Sequence, residues 1–226
     1  MIFSSEPAAN ALELKEHHLK IGWCRVDELK RLSYLHRDLN KGMIWAVSIA
    51  FPLSAAVMDS LDKFPNLVYQ NHYRVVNNRL ETEALELSRN IAAAGFNTLP
   101  VPVTVSVDSY HGHLSHRMAA MLSGQGWIGK SALLVTTEYA ARVRLVTILT
   151  NLPLPEQLKP IQFGCGDCRI CIDVCPVNAI QDDPRDFKRE ICYKYLNSLI
   201  TKGVVEELIC GLCIKACDGG GSNDIA

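Results

Sequence analysis

Nine cysteines stand in the 226-residue chain, and eight of them fall between residues 165 and 217. Cys165, Cys168, Cys171 and Cys175, with Pro176 behind them, keep the spacing C-x2-C-x2-C-x3-C-P. Three thiolates two residues apart let a tight loop wrap one [4Fe–4S] cubane, while the fourth, ahead of proline, serves a second cubane where there is one. A second set follows at Cys192, Cys210, Cys213 and Cys217. Two sets of four predict two cubanes. The crossing rule gives cluster I Cys165, Cys168, Cys171 and Cys217, and cluster II Cys175, Cys192, Cys210 and Cys213. The second set departs from the plain pattern: Cys192 lies far upstream of Cys210, and Asp218 follows Cys217 where proline is usual.

Two other chemistries use clustered cysteines. A disulfide framework belongs to secreted chains, and no export signal is visible here. Zinc takes four thiolates from paired C-x2-C motifs, but it explains neither the third cysteine at the same spacing nor Cys175-Pro176. Cys24 stands alone in an apolar stretch and reads as a small buried hydrophobe.

These ligands need a scaffold, and the rest of the chain supplies strands and helices. A polar-sided helix is expected over 7–20, and a short strand over 21–26. Residues 43–51 and 143–149 are continuous apolar runs with β-branched residues, the pattern of strands buried on both faces. Tyr69, Tyr73, Val76, Leu80, Ala84, Leu87 and Ile91 recur at steps of three or four, one face of a long helix. Asn66 is placed to start it and Gly95 to stop it. Alternating valines over 101–107 predict a half-buried strand, with Pro102 putting it near an edge or at the strand start. Helical spacing returns over 114–122, and 132–135 reads as a strand. The prolines of 151–155 mark a boundary near 155. The glycine-rich end from Gly219 is expected to fray.

Outside the cysteines, three features could carry chemistry. Asp108, Tyr110 and His111 cluster where the valine strand ends, a place where sheet proteins put reactive groups; the other reading is a polar turn. Residues 124–131 match the text of a phosphate loop, G-x4-G-K-S. Such a loop needs a strand before it and a helix after it; here a helix precedes and a strand follows, so Lys130 is not expected to bind ATP. Its glycines serve close backbone approach instead. Arg144 is the lone charge of its strand and needs a partner or an anionic group.

The composition sets limits. The chain is 48% hydrophobic with a net charge of −1, enough for a packed core and without a basic field or Lys/Arg block for nucleic acid. The start carries no signal-peptide pattern, and no run of about 18 apolar residues spans a membrane. Clustered, reduced cysteines then point to the cytoplasm and to a setting with little oxygen.

Several segments occur in a familiar order: Gly126-Trp-Ile-Gly-Lys130, Leu133-Leu-Val135, Tyr139, Ile148-Leu-Thr150, Leu152-Pro-Leu154, and then the first cysteine run. Together they resemble the epoxyqueuosine reductase family, related in its core to reductive dehalogenases. Cys192-Tyr-Lys-Tyr-Leu196 and the helix start Tyr69-Gln-Asn-His-Tyr73 resemble it too. The resemblance covers residues 40–217 and is strongest over 124–176. It implies an α/β (α+β) fold: a nitroreductase-like mixed-sheet domain over 1–155 that binds cobalamin, then a two-cluster ferredoxin-like module over 156–226. Electrons would pass through the cubanes to cobalt. Gly126, Trp127, Gly129, Lys130, Ser131, Arg144, Tyr69 and Tyr73 would border the corrinoid. The family's proton donor lies in a V-D-[ST] segment, which Val107-Asp108-Ser109 resembles. Tyr110-His-Gly-His113 replaces the small apolar residues usual there, which makes Tyr110 and His111 substitutes for Asp108.

The family continues into helical repeats that help hold tRNA, and this sequence stops soon after Cys217. The expectation is therefore a reductase of a small molecule, fed by an external low-potential electron donor, with nucleic acid unlikely and the oligomeric state open. The rival is a two-cluster, ferredoxin-type electron-transfer protein without corrinoid.

Overall fold

Residues 143–150 hold the centre of the main sheet because almost every side chain in the run is apolar or β-branched. In the computed structural model, which describes residues 19–29, 41–104, 112–156 and 158–219, they form strand β6 (Val143–Thr150). The sheet also contains β1 (Lys20–Arg25), β2 (Trp45–Pro52) and β3 (Thr98–Val101), in the order β1-β2-β6-β3. β1 pairs antiparallel with β2, and β3 antiparallel with β6. Val47, Ile49, Val146, Ile148 and Leu149 are fully enclosed. Each such side chain contributes about 1.5–3 kcal/mol of burial energy, as an upper figure. Cys24 on β1 packs with Ala46, Val101, Ala119 and Leu149, and burial pushes its thiol up to about 12. It is the inert hydrophobe its sequence context indicates.

The strand expected over 101–107 does not continue past Val101 among the described residues, and 105–107 lie outside them. β3 starts earlier and stops at Val101. Pro102 cannot donate to the ladder, so pairing ends before it. β3 is nonetheless the edge strand, as the proline indicates, and Pro100 sits within it opposite Ile148. The Asp108–His111 turn and residues 7–18 of the expected helix lie outside the described residues, while Lys20, expected to end that helix, begins β1.

Helix α1 spans Ala55–Asp59 and helix α2 spans Leu67–Ala93. The Asn66 side chain accepts the Tyr69 N–H at 2.8 Å and caps the start of α2. At its end Phe96 N–H reaches back to Ile91 O, with Gly95 at φ +89°, the left-handed closure that glycine permits. Tyr69, Val76, Leu80, Ala84, Leu87 and Ile91 are buried, as their spacing predicts, while Tyr73 keeps partial exposure. Helix α3 spans His116–Leu122, with Ser115 as its cap.

The chain divides into two compact units that interleave in sequence. One is built from 1–51, 77–125 and 144–161 and contains nearly all of the four-stranded sheet. The other is built from 52–76, 126–143 and 162–226, and so joins the cysteine segment to two earlier stretches. The second unit contains the hairpin β4 (Trp127–Ile128) and β5 (Leu134–Val135), with helices α4 (Ile170–Asp173), α5 (Arg189–Thr201) and α6 (Leu212–Ala216). No helix among the described residues is long and apolar enough to cross a membrane.

Candidate metal centre

The thiols of the two cysteine sets lie near one another in the second unit. Burial pushes the Cys171 thiol up to about 11, and Cys217, Cys165 and Cys168 are the neighbours whose charge adds to this. Burial likewise pushes Cys192 up to about 11, with Cys175 and Cys210 beside it. Cys213 is raised by burial, then by Cys210, Cys192, Cys171 and Cys175. Cys217 is raised by burial and, among the cysteines, feels Cys165. Cys217 thus lies near Cys171 and Cys165, and Cys175 near Cys192 and Cys213. Cys171 also acts on Cys213, so the two sets adjoin.

Eight thiols are free of disulfides here, as is Cys24. Among the described residues, no three ligating side chains converge on a single-ion position.

Local structure explains each placement. Cys168 N–H bonds to Cys165 O at 2.9 Å, which closes the first loop, and α4 carries Cys171 onward to Cys175. Cys192 lies in the first turn of α5. Gly211 sits at φ +81°, and a Cβ there would meet Tyr69 Cε1 at 2.7 Å, so glycine is needed between Cys210 and α6. The early stretches brace the last cysteines. Gln70 Oε1 accepts the Glu206 N–H at 2.6 Å, and Arg74 pairs with Glu207 at 3.0 Å. Lys215 Nζ donates to Leu61 O, and Arg142 donates to Lys215 O at 2.9 Å.

The glycine loop is part of this centre. Helix α3 precedes it and the β4–β5 hairpin follows, with Gly129 N–H bonded to Leu133 O at 2.9 Å. A phosphate loop's helix is missing, as the sequence context predicts. A Cβ on Gly126 would lie 2.0 Å from Val135 O, and one on Gly129 would lie 3.3 Å from Cys165 Sγ. Gly129, Lys130 and Ser131 line a hollow together with Cys165, Cys168, Cys171 and Cys217. Trp127 donates its indole N–H to Cys165 Sγ at 3.4 Å. Lys130 is buried and reaches Asp182 at 3.3 Å, which Arg169 also holds at 2.6 Å. These two cations keep the Asp182 carboxyl below the usual carboxylate range, Arg169 contributing more.

The remaining residues expected at a corrinoid are placed as follows. Tyr69 is buried, with Tyr73 edge-on to it at 6.5 Å between ring centroids. Arg144 donates to Asn77 Oδ1 at 2.9 Å. Near it, His116 sets Nε2 3.0 Å from Pro102 O and Nδ1 2.8 Å from Thr147 Oγ1. A carbonyl only accepts, so Nε2 carries the proton and Nδ1 accepts from the threonine. Desolvation lowers the His116 pKa to about 4, with Arg144 adding to the effect. With Glu81 Oε1 accepting the Val103 N–H at 2.7 Å, His116 fixes the chain just before the segment that carries Asp108. Asp108, Tyr110 and His111 themselves are not among the described residues. Sequence reasoning missed His116, Asp182 and Tyr195; for Tyr195 the available signal was its position three residues after Cys192.

The comparisons with known proteins agree with this geometry. The epoxyqueuosine reductase of Escherichia coli (strain K12) is 27% identical over 226 residues, which cover 95% of this chain and 56% of that protein. The epoxyqueuosine reductase of Bacillus cereus is 35% identical over 140 residues, 61% of this chain and 33% of that one. This chain is similar in sequence to the epoxyqueuosine reductases. It spans about half the length of the E. coli relative. The fold recurs in the catabolic reductive dehalogenase NpRdhA, solved with 3-bromo-4-hydroxybenzoic acid, at a TM-score of 0.69 and 21% identity over 88% of this chain and 29% of that one. It recurs in the epoxyqueuosine reductase from Streptococcus thermophilus at 0.58 and 20%, over 89% of this chain and 62% of that one. An epoxyqueuosine reductase solved with an epoxyqueuosine-modified tRNA stem loop gives 0.52 and 19%, over 92% and 63%. No protein-family model matches the chain.

Proposed function

We propose that the protein is a cobalamin-dependent iron–sulfur reductase of a small substrate, with two [4Fe–4S] clusters that feed electrons to cobalt. The observation that carries the iron–sulfur half is the nearness of the eight thiols, with Cys217 beside Cys171 and Cys175 beside Cys192 and Cys213. The homology to epoxyqueuosine reductases supports the cobalamin half. Bound cobalamin supplies a low-valent cobalt that reduces a carbon centre. The chain's own residues hold the clusters and deliver a proton. In this reading the unit of 52–76, 126–143 and 162–226 is the ferredoxin-like cluster module and the other unit the nitroreductase-like domain, in place of a linear division near 155. Asp108 is the donor, with Tyr110 and His111 as substitutes in the same segment, and His116 and Glu81 anchor the chain ahead of it. Of the corrinoid neighbours, the backbone of 126–131 is carried forward, its glycines allowing close approach. Trp127, Lys130, Arg144 and Tyr69 already engage protein groups.

That engagement favours a second reading, a two-cluster electron carrier without corrinoid. The chain's net charge of −1 gives RNA no electrostatic stripe; the tRNA-bound relative makes RNA the contrasting outcome for the substrate. Anaerobic purification with iron, sulfide and cobalt analysis separates the readings. About eight irons and eight sulfides with one reconstituted cobalamin per chain supports the reductase. Eight irons with no cobalamin uptake leaves the carrier, and stoichiometric zinc removes both. Tight binding of an epoxyqueuosine-modified stem loop would replace the small substrate by RNA.

A further inference from the structure

The two groups of cysteines differ in the donors around them. The Cys165 group receives the Trp127 indole N–H and borders Lys130. In the other group, Cys175 Sγ accepts the backbone N–H of Ala179 at 3.3 Å. Beside that group lies a donor with no acceptor. The phenolic oxygen of Tyr195 is buried and has no hydrogen-bond partner among the described residues. Leaving a buried hydroxyl unsatisfied costs about 1–3 kcal/mol, so such a group points to an acceptor that the described residues do not provide.

The surroundings identify that acceptor's chemistry. Tyr195 follows Cys192 by three positions on α5, so the two share a helix face. Cys210 and Cys175 lie close enough to act on the phenol electrostatically. The ring therefore sits beside the second set of cysteines. A cubane presents only acceptors: bridging sulfides and thiolate sulfurs.

We propose that Tyr195 donates a hydrogen bond to cluster II, to a bridging sulfide or to the Cys175 or Cys210 thiolate, and thereby raises that cluster's reduction potential. The inference rests on the two-cluster reading above. A donor aimed at the cluster stabilises the more negative reduced state over the oxidised one, and hydrogen bonds to the sulfurs are among the terms that set iron–sulfur potentials. Tyr195 is a positioning residue for electron flow, since it makes cluster II easier to reduce without touching substrate.

The test is an anaerobic redox titration of the holoprotein followed by EPR. Tyr195→Phe is expected to keep eight irons, to move the cluster II midpoint to more negative potential and to leave cluster I in place. Incorporating 3-fluorotyrosine, whose more acidic phenol is the stronger donor, is expected to move cluster II the opposite way in the wild-type chain and not in Y195F. Should Y195F lose cluster II iron, the fluorotyrosine titration of the wild-type chain decides alone. Eight irons with an unmoved cluster II midpoint, or equal movement of both clusters, overturns the assignment and leaves the cluster reading intact. Four irons or none overturns that reading together with the assignment.

Discussion

Protonation of His116 should loosen the sheet in mild acid, by an amount the geometry allows one to work out. The ring keeps a proton on Nε2 for Pro102 O and must offer a lone pair on Nδ1 to the Thr147 hydroxyl. A second proton removes that acceptor and adds charge beside Arg144. The folded pKa is accordingly depressed to about 4, against about 6.5 in an unfolded chain. Between those values the unfolded state binds more protons, so stability is full above pH 6.5 and is lost as pH falls towards 4. From pH 7 to pH 5 the loss is at most about 2 kcal/mol, from 1.36 kcal/mol per pH unit over roughly 1.5 units. Anaerobic hydrogen exchange at the β3 and β6 amides, corrected for intrinsic rates, should show protection falling by up to ~30-fold. In His116→Gln, which cannot titrate, that pH dependence should vanish. An unchanged slope in the variant would refute the reasoning, because the acid sensitivity would then come from other groups.

The remaining predictions concern the loop and the chemistry. Gly126→Ala sets a Cβ against Val135 O and should cost about 3 kcal/mol or more, with loss of cluster I iron. Gly42→Ala, at φ +78° in open space, should cost only about 1 kcal/mol and leave iron content unchanged; denaturant titration and iron analysis compare the two. Asp108→Asn should leave both clusters and any bound cobalamin intact while turnover of an identified substrate falls about 10²–10⁴-fold. Full activity in that variant would move the proton donor to Tyr110 or His111.

Local sequence signals were sufficient wherever one element decided its own fate. The α2 stripe, its Asn66 cap and its Gly95 stop follow from spacing and backbone chemistry, and each is present. The apolar runs at β2 and β6 needed no partner to be recognised. The glycine loop was readable only by its neighbours, since a helix before and a strand after exclude the phosphate role its text invites. The cysteine sets were legible as candidate cluster ligands because their spacing is local to the sequence. What stayed hidden depends on distant contacts. Gln70 meets Glu206 across 136 positions, and Lys130 meets Asp182 across 52. A linear division near 155 has no means of showing that 52–76 and 126–143 fold with the cysteines. β3 was misjudged because four alternating valines outweighed the proline that ends the ladder.

Crossed ligation is the central claim, and Mössbauer spectroscopy on ⁵⁷Fe-loaded Cys175→Ser and Cys217→Ser tests it directly. Cys175 sits in the first motif yet lies near Cys192 and Cys213, while Cys217 sits in the last motif yet lies near Cys165 and Cys171. Each cluster's signal is fixed beforehand by Cys168→Ser for cluster I and Cys213→Ser for cluster II. Cys175→Ser should then perturb the signal that Cys213→Ser perturbs, and Cys217→Ser the one that Cys168→Ser perturbs. The reverse pairing, with Cys175 following Cys168, would contradict the account.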